Sequence, residues 1–172
     1  MVKSKVKIGV LALQGDFAEH ISVLDNLNVN CTIVKKPNEL SDINGLIIPG
    51  GESTTIKKLI DRYDFEGEIK EKVSLGMSVW GTCAGLICIA KKLTEPEPIP
   101  MNLINAEVSR NWFGRQVDSF ESDINFSGIE EKIKAVFIRA PIVNKVSKNV
   151  EVLSKLNDGT IVGIKENKIL GT

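Results

Sequence analysis

Short apolar runs that stop at a glycine-containing turn and give way to an amphipathic stretch recur through the first half of this chain. Val6 to Leu13 ends at Gln14-Gly15, Gly45 to Pro49 ends at Gly50-Gly51, and Ser78 to Trp80 runs into Gly81. An apolar run rich in β-branched residues fits a strand covered on both faces. After the first run, Asp16 offers a helix N-cap, and Phe17, Ile21, Leu24 and Leu27 follow at helical spacing. Cys31 to Val34 reads as another strand. Ser53 or Thr54 can cap a helix carrying Ile56, Leu59 and Ile60, and a further helix spans Glu66 to Ser74. The Ser78 strand leads into a helix from Ala84 to Lys92. Strand and helix in alternation require right-handed crossovers and a largely parallel sheet. The fold class is α/β, with three layers.

The second half is less regular. Glu95 to Pro100 is a proline-rich connection that reads as an exposed loop. Strands are expected near Ala106 to Ser109, Val117 to Phe120, Ala135 to Ile138, Val150 to Leu156 and Thr160 to Ile164. Asn157-Asp158-Gly159 marks a hairpin turn, so the later strands are expected to be antiparallel. With 172 residues, residues 1–172 are read as one domain able to bury a sizeable core.

Composition excludes several classes of function. Basic and acidic side chains cancel, 22 against 22, which argues against a nucleic-acid partner. The apolar run from Ile8 to Leu13 is too short for a signal-peptide core, and nothing approaches a membrane span. Three cysteines with no C-x-x-C pair suit a reducing, cytoplasmic setting and argue against a metal site. No cofactor is expected.

Gly81-Thr82-Cys83-Ala84-Gly85 carries the chemistry. A G-x-C-x-G pentapeptide between strand and helix is the cysteine version of a nucleophile elbow. It presents the thiol at the sheet's carboxyl edge, on a helix N-terminus that favours the thiolate. The amide after the nucleophile, that of Ala84, can serve as an oxyanion donor. Standing alone, the pentapeptide would be matched by a buried core cysteine; its strand-turn-helix context favours the nucleophile. Cys31 and Cys88 read as packing residues. Pro49-Gly50-Gly51-Glu52-Ser53 occupies a second strand end, where paired glycines let backbone approach a ligand, and Gly51 can supply the other oxyanion amide.

Gly50-Gly51-Glu52-Ser53-Thr54-Thr55 together with the elbow resembles the class I (triad) glutamine amidotransferases. The runs from Gly9 to Gly15, Arg110 to Phe120 and Phe137 to Pro141 are similar to the glutaminase subunit of pyridoxal 5′-phosphate synthase. The resemblance covers Val6 to Thr172 and implies a flavodoxin-like, class I amidotransferase-like fold. It implies that Cys83 attacks the side-chain amide of glutamine and that Gly51 and Ala84 hold the oxyanion. Gly51, Glu52, Ser53, Arg110, Ile138 and Arg139 would contact substrate, and Gln14 would face the partner. That partner would be the synthase's (β/α)8-barrel subunit, which takes the ammonia.

The family places a His-Pro-Glu sequence just after its final strand, a position following Leu170-Gly171-Thr172. The expectation is therefore a truncated chain, nearly inactive as it stands for want of its general acid. His20, the only histidine, reads as structural. Three alternatives remain open: a glutaminase for another synthase such as imidazole glycerol phosphate synthase, a non-catalytic partner-binding subunit, and a cysteine hydrolase related to intracellular proteases.

Overall fold

The computed structural model describes residues 5–110 and 119–172. In its first half, strands β1 (Lys7–Leu11), β2 (Asn30–Val34), β3 (Gly45–Ile48) and β4 (Ser78–Gly81) lie in the order β2-β1-β3-β4, all parallel. Helix α1 (Phe17–Asn26) joins β1 to β2; α2 (Ser53–Arg62) and α3 (Phe65–Ser74) join β3 to β4. All four β3 residues are buried, as a strand covered on both faces requires.

The second half comprises α4 (Ala84–Ile89), β5 (Ala90–Leu93), β6 (Ile104–Ser109), β7 (Phe120–Ile124), β8 (Ile133–Phe137), β9 (Ile142–Val146), β10 (Glu151–Lys155), β11 (Ile161–Glu166) and β12 (Ile169–Gly171). The sheet continues β4-β12-β11-β9-β6-β5, with β10 beside β11. Here β12 is parallel to β4 and β5 to β6, whereas the pairs made by β11 and β9 are antiparallel. The hairpin β7-β8 forms a small sheet of its own.

The main core lies around the large sheet and includes Leu11, Leu46, Ile48, Ile56, Ile60, Phe65 and Ile69. A smaller cluster of Ile124, Phe137 and Val162 fastens the β7-β8 hairpin to β11. Among the described residues no helix is long and apolar enough to cross a membrane.

Several elements differ from the sequence expectation. The helix after Cys83 stops at Ile89 instead of Lys92, and Ala90 to Leu93 form an edge strand. Returning chain takes the carbonyls that a longer helix would use: Met101, Leu103 and Asn102 amides donate to Cys88, Ile89 and Ala90. Strand β9 was not anticipated, and β12 was implied only by the family's final strand ending at Leu170-Gly171-Thr172. Of the strand expected near Val117 to Phe120, Val117 and Asp118 lie outside the described residues, and β7 spans Phe120 to Ile124. Asp16 precedes α1 but makes no side-chain capping bond. On α2 the cap is Glu52, not Ser53 or Thr54, because its carboxylate reaches the Thr54 and Thr55 amides.

Candidate active site

Ile48 of β3 pairs in register with Gly81 of β4, so the turns leaving these two strands meet at the sheet's carboxyl edge. The Thr82 N–H donates to the Ile48 carbonyl at 3.0 Å. Backbone contact explains the glycine spacing of the elbow. A Cβ on Gly85 would lie 2.0 Å from the Ile48 oxygen, and one on Gly81 would lie 2.6 Å from the Gly85 carbonyl. Between them Cys83 adopts φ 49° and ψ −105°, a strained conformation for any residue with a side chain. It is held there from β12: the Cys83 N–H donates to the Thr172 carbonyl at 2.7 Å, and the Thr172 N–H to the Gly81 carbonyl at 3.0 Å.

A cleft of about 660 Å³ opens above the elbow. It brings together Cys83, Ala84, Gly51, Glu52, Ser53, Arg110, Ile138 and Arg139, every position singled out in the sequence except Gln14. Ile138 and Arg139 follow β8, so the small hairpin supplies one wall. Asp16, which sequence reasoning treated only as a cap, also faces into the cleft.

The thiol is not a ready thiolate. Burial pushes the Cys83 pKa up, the Ala84 N–H bonded to the sulfur pulls it down, and the Asp16 carboxylate pushes it up again. Burial wins, because α4 is only six residues long and lies wholly in the core. The N-terminus of so short a helix does not hold the resting thiol ionised against its burial. Cys88, mid-helix and buried, is pushed up to about 12 by burial, consistent with a packing role.

The Gly50 carbonyl accepts the Asp16 N–H at 3.1 Å. The Gly51 N–H of the same trans peptide therefore faces the other way. Gly51 sits at φ 149°, and a Cβ there would lie 2.7 Å from Gln14 Oε1. Gln14 stands behind this bend, accepting the Glu52 N–H on that same oxygen at 2.9 Å.

Glu52 accepts from the Thr54 and Thr55 amides at 3.0 and 2.7 Å, and from the Thr55 hydroxyl at 2.7 Å. Partial burial pushes its pKa up, but these bonds outweigh that and hold it at about 2. Arg110 reaches the same carboxylate at 3.3 Å. His20 lies nearer the elbow than its helix suggested: Nε2 is 3.5 Å from the Thr82 hydroxyl, and the ring meets Trp80 edge-on at 5.9 Å. Burial lowers its pKa against the pull of Asp16 and Glu19. No group of three or more metal-ligating side chains occurs among the described residues.

A cysteine on a strained strand-to-helix turn, facing a diglycine bend at the edge of a parallel sheet, is the arrangement of the class I amidotransferases. The sequence matches the SNO glutamine amidotransferase family over residues 10–172, and the chain belongs to that family. It is 52% identical over 170 residues to the pyridoxal 5′-phosphate synthase subunit PdxT of Dehalococcoides mccartyi strain BAV1, covering 96% of this chain and 86% of that protein. The subunit of the same name from Niallia circulans is 47% identical over 165 residues, with coverage of 96% and 86%. A solved glutamine amidotransferase superposes with a TM-score of 0.90 at 43% identity, over 96% of this chain and 87% of the other. The PurLQS structure from Thermotoga maritima, with a TM-score of 0.72 at 16% identity over 98% and 86% of the two chains, shares the fold.

Proposed function

We propose that this chain is the glutaminase subunit of pyridoxal 5′-phosphate synthase, hydrolysing glutamine and delivering ammonia to the synthase's barrel subunit in the cytoplasm. The observation that carries this reading is the single cleft shared by the Cys83 thiol, the Gly50-Gly51 bend and Arg110. Identity of about half to subunits of that synthase supports the choice of acceptor.

In this reading Arg110 and Arg139 hold the amino-acid end of glutamine, with Glu52, Ser53 and Ile138 shaping the rest of its pocket. The Cys83 sulfur, its proton passed to the histidine of the family's His-Pro-Glu sequence, attacks the side-chain amide carbon. The Gly51 and Ala84 N–H groups receive the negative charge that forms on the amide oxygen. Ala84 directly follows Cys83 at the start of α4, which places its N–H beside the sulfur. The tetrahedral adduct expels ammonia once the nitrogen gains a proton, a step assigned to the histidine of the family's His-Pro-Glu sequence. Water then splits the thioester to glutamate and regenerates the thiol.

The test is glutamate release by the chain extended past Thr172 to carry the family's His-Pro-Glu sequence, mixed with the pyridoxal 5′-phosphate synthase barrel subunit or with the cyclase subunit of imidazole glycerol phosphate synthase. Stimulation by the first alone supports the proposal. Stimulation by the second, or by neither, defeats it.

A further inference from the structure

The proline-rich segment after β5 has no part in the chemistry above, yet it is bonded to Arg110 through both backbone and side chain. Both Glu95 carboxylate oxygens accept the Arg110 backbone N–H, at 3.2 and 3.3 Å. Two residues on, the Glu97 carbonyl accepts from Arg110 Nη1 at 2.7 Å. Glu95 is itself held: the Thr94 hydroxyl donates to its Oε2 at 3.0 Å. The same hydroxyl shares a 2.7 Å hydrogen bond with the hydroxyl of Ser109, to which Asn144 on β9 donates at 2.6 Å. The carboxylate is thereby tied to the large sheet.

On the opposite side of the guanidinium, Nη2 donates to Thr54 Oγ1 at 3.1 Å and to Glu52 Oε1 at 3.3 Å. Arg110 is thus gripped at its backbone by Glu95 and at its head between Glu97 and the start of α2. Its Nε is buried and has no acceptor among the described residues. A buried donor left without a partner is costly. An arginine free in solvent gives up much rotamer freedom when it binds, and one already fixed avoids that cost.

We propose that Glu95 is a positioning residue: by anchoring the Arg110 amide and the Glu97 carbonyl's segment, it presets the guanidinium for the α-carboxylate of the substrate. This rests on the reading of Arg110 as a glutamine contact. Glu95 itself touches no substrate. Its removal weakens glutamine binding and leaves the sulfur's intrinsic reactivity alone.

The experiment labels Cys83 with the glutamine-analogue electrophile 6-diazo-5-oxo-L-norleucine, in the chain combined with the barrel subunit, and titrates glutamine as protectant. Iodoacetamide, which needs no arginine, is run in parallel. Glu95→Ala is expected to raise the half-protecting glutamine concentration about five- to tenfold, the scale of one lost hydrogen bond to a well-placed group. Glu95→Gln keeps an acceptor oxygen and should recover most of that loss. Iodoacetamide rates should stay within about twofold for both, since the thiol's surroundings are unchanged.

Unaltered glutamine protection in Glu95→Ala overturns the proposal. So does a parallel collapse of iodoacetamide reactivity in both variants, which would mark Glu95 as a general structural residue. If the unsubstituted protein is not protected by glutamine at all, the glutaminase reading falls and this inference with it.

Discussion

The side-chain oxygen of Gln14 accepts the backbone N–H of Glu52 at 2.9 Å, clamping the diglycine bend from behind while the Gly50 carbonyl is held by the Asp16 N–H. Gln14→Ala removes one side of this clamp without entering the cleft. The cost of one such bond, about 1 kcal/mol, corresponds to roughly a fivefold loss of glutaminase kcat/KM. Gly51→Ala is harsher, because its Cβ would lie 2.7 Å from Gln14 Oε1 and 2.9 Å from the Gly15 Cα. Glutaminase assays with the barrel subunit present, on the chain extended to carry the family's His-Pro-Glu sequence, should show Gln14→Ala impaired and Gly51→Ala inactive. Full activity in Gly51→Ala would contradict the oxyanion role of this bend.

Asp16 raises the pKa of the Cys83 thiol, adding to the larger effect of burial. Asp16→Asn removes a negative charge that opposes the thiolate, so the midpoint of alkylation against pH should move down. At a fixed pH of about 8 the variant should react faster with iodoacetamide. A midpoint moving up, or not at all, would show that Asp16 does not act on the sulfur.

Glu52 links α2 to the cleft. Glu52→Ala removes the N-cap of α2 and should cost about 1 kcal/mol, read as a Tm lower by a few degrees. The folded carboxylate titrates near 2, below its ordinary 4.5. A depressed acid contributes stability that is present above the unfolded value and lost as pH falls through the folded one. The gap between native and Glu52→Ala midpoints in urea should therefore narrow as pH drops from about 5 to about 2. An unchanged gap across that range would dismiss the capping account.

Gly85 leaves no room for a side chain: its Cβ would fall 2.0 Å from the Ile48 carbonyl oxygen. Gly85→Ala must part β3 from the elbow and should cost about 3 kcal/mol or more. Urea unfolding measures this directly; a variant of unchanged midpoint would mean the elbow tolerates separation from β3.

The parts of the fold governed by local pattern were readable in the sequence. The apolar runs before Gly50 and Gly81 gave the strands that carry the site, and the glycine spacing around Cys83 follows from a contact between two turns. Elements governed by distant partners were not readable. Strand β12 has three residues, too few for periodicity, and is defined by pairing with β4 and β11. Ala90 to Leu93 continued a helical pattern until Met101 to Leu103 returned to take the carbonyls beside it. Asp16 looked like a cap because the sequence shows its neighbours along the chain and not the cleft it faces. Arg110 was singled out through a family resemblance, but its grip by Glu95 spans 15 residues and left no local signal. The ionisation of Cys83 was misjudged for a related reason: helix position is visible in sequence, and burial is not.

Everything functional here depends on Cys83 being the atom that bonds to glutamine. Incubating the chain and its barrel subunit with 6-diazo-5-oxo-L-norleucine, then locating the adduct by peptide mass spectrometry, tests this most directly. The adduct should appear on Cys83, be suppressed by glutamine, and vanish together with glutaminase activity in Cys83→Ala. Labelling on Cys31 or Cys88 with Cys83 unmodified, or activity surviving in Cys83→Ala, would contradict the account.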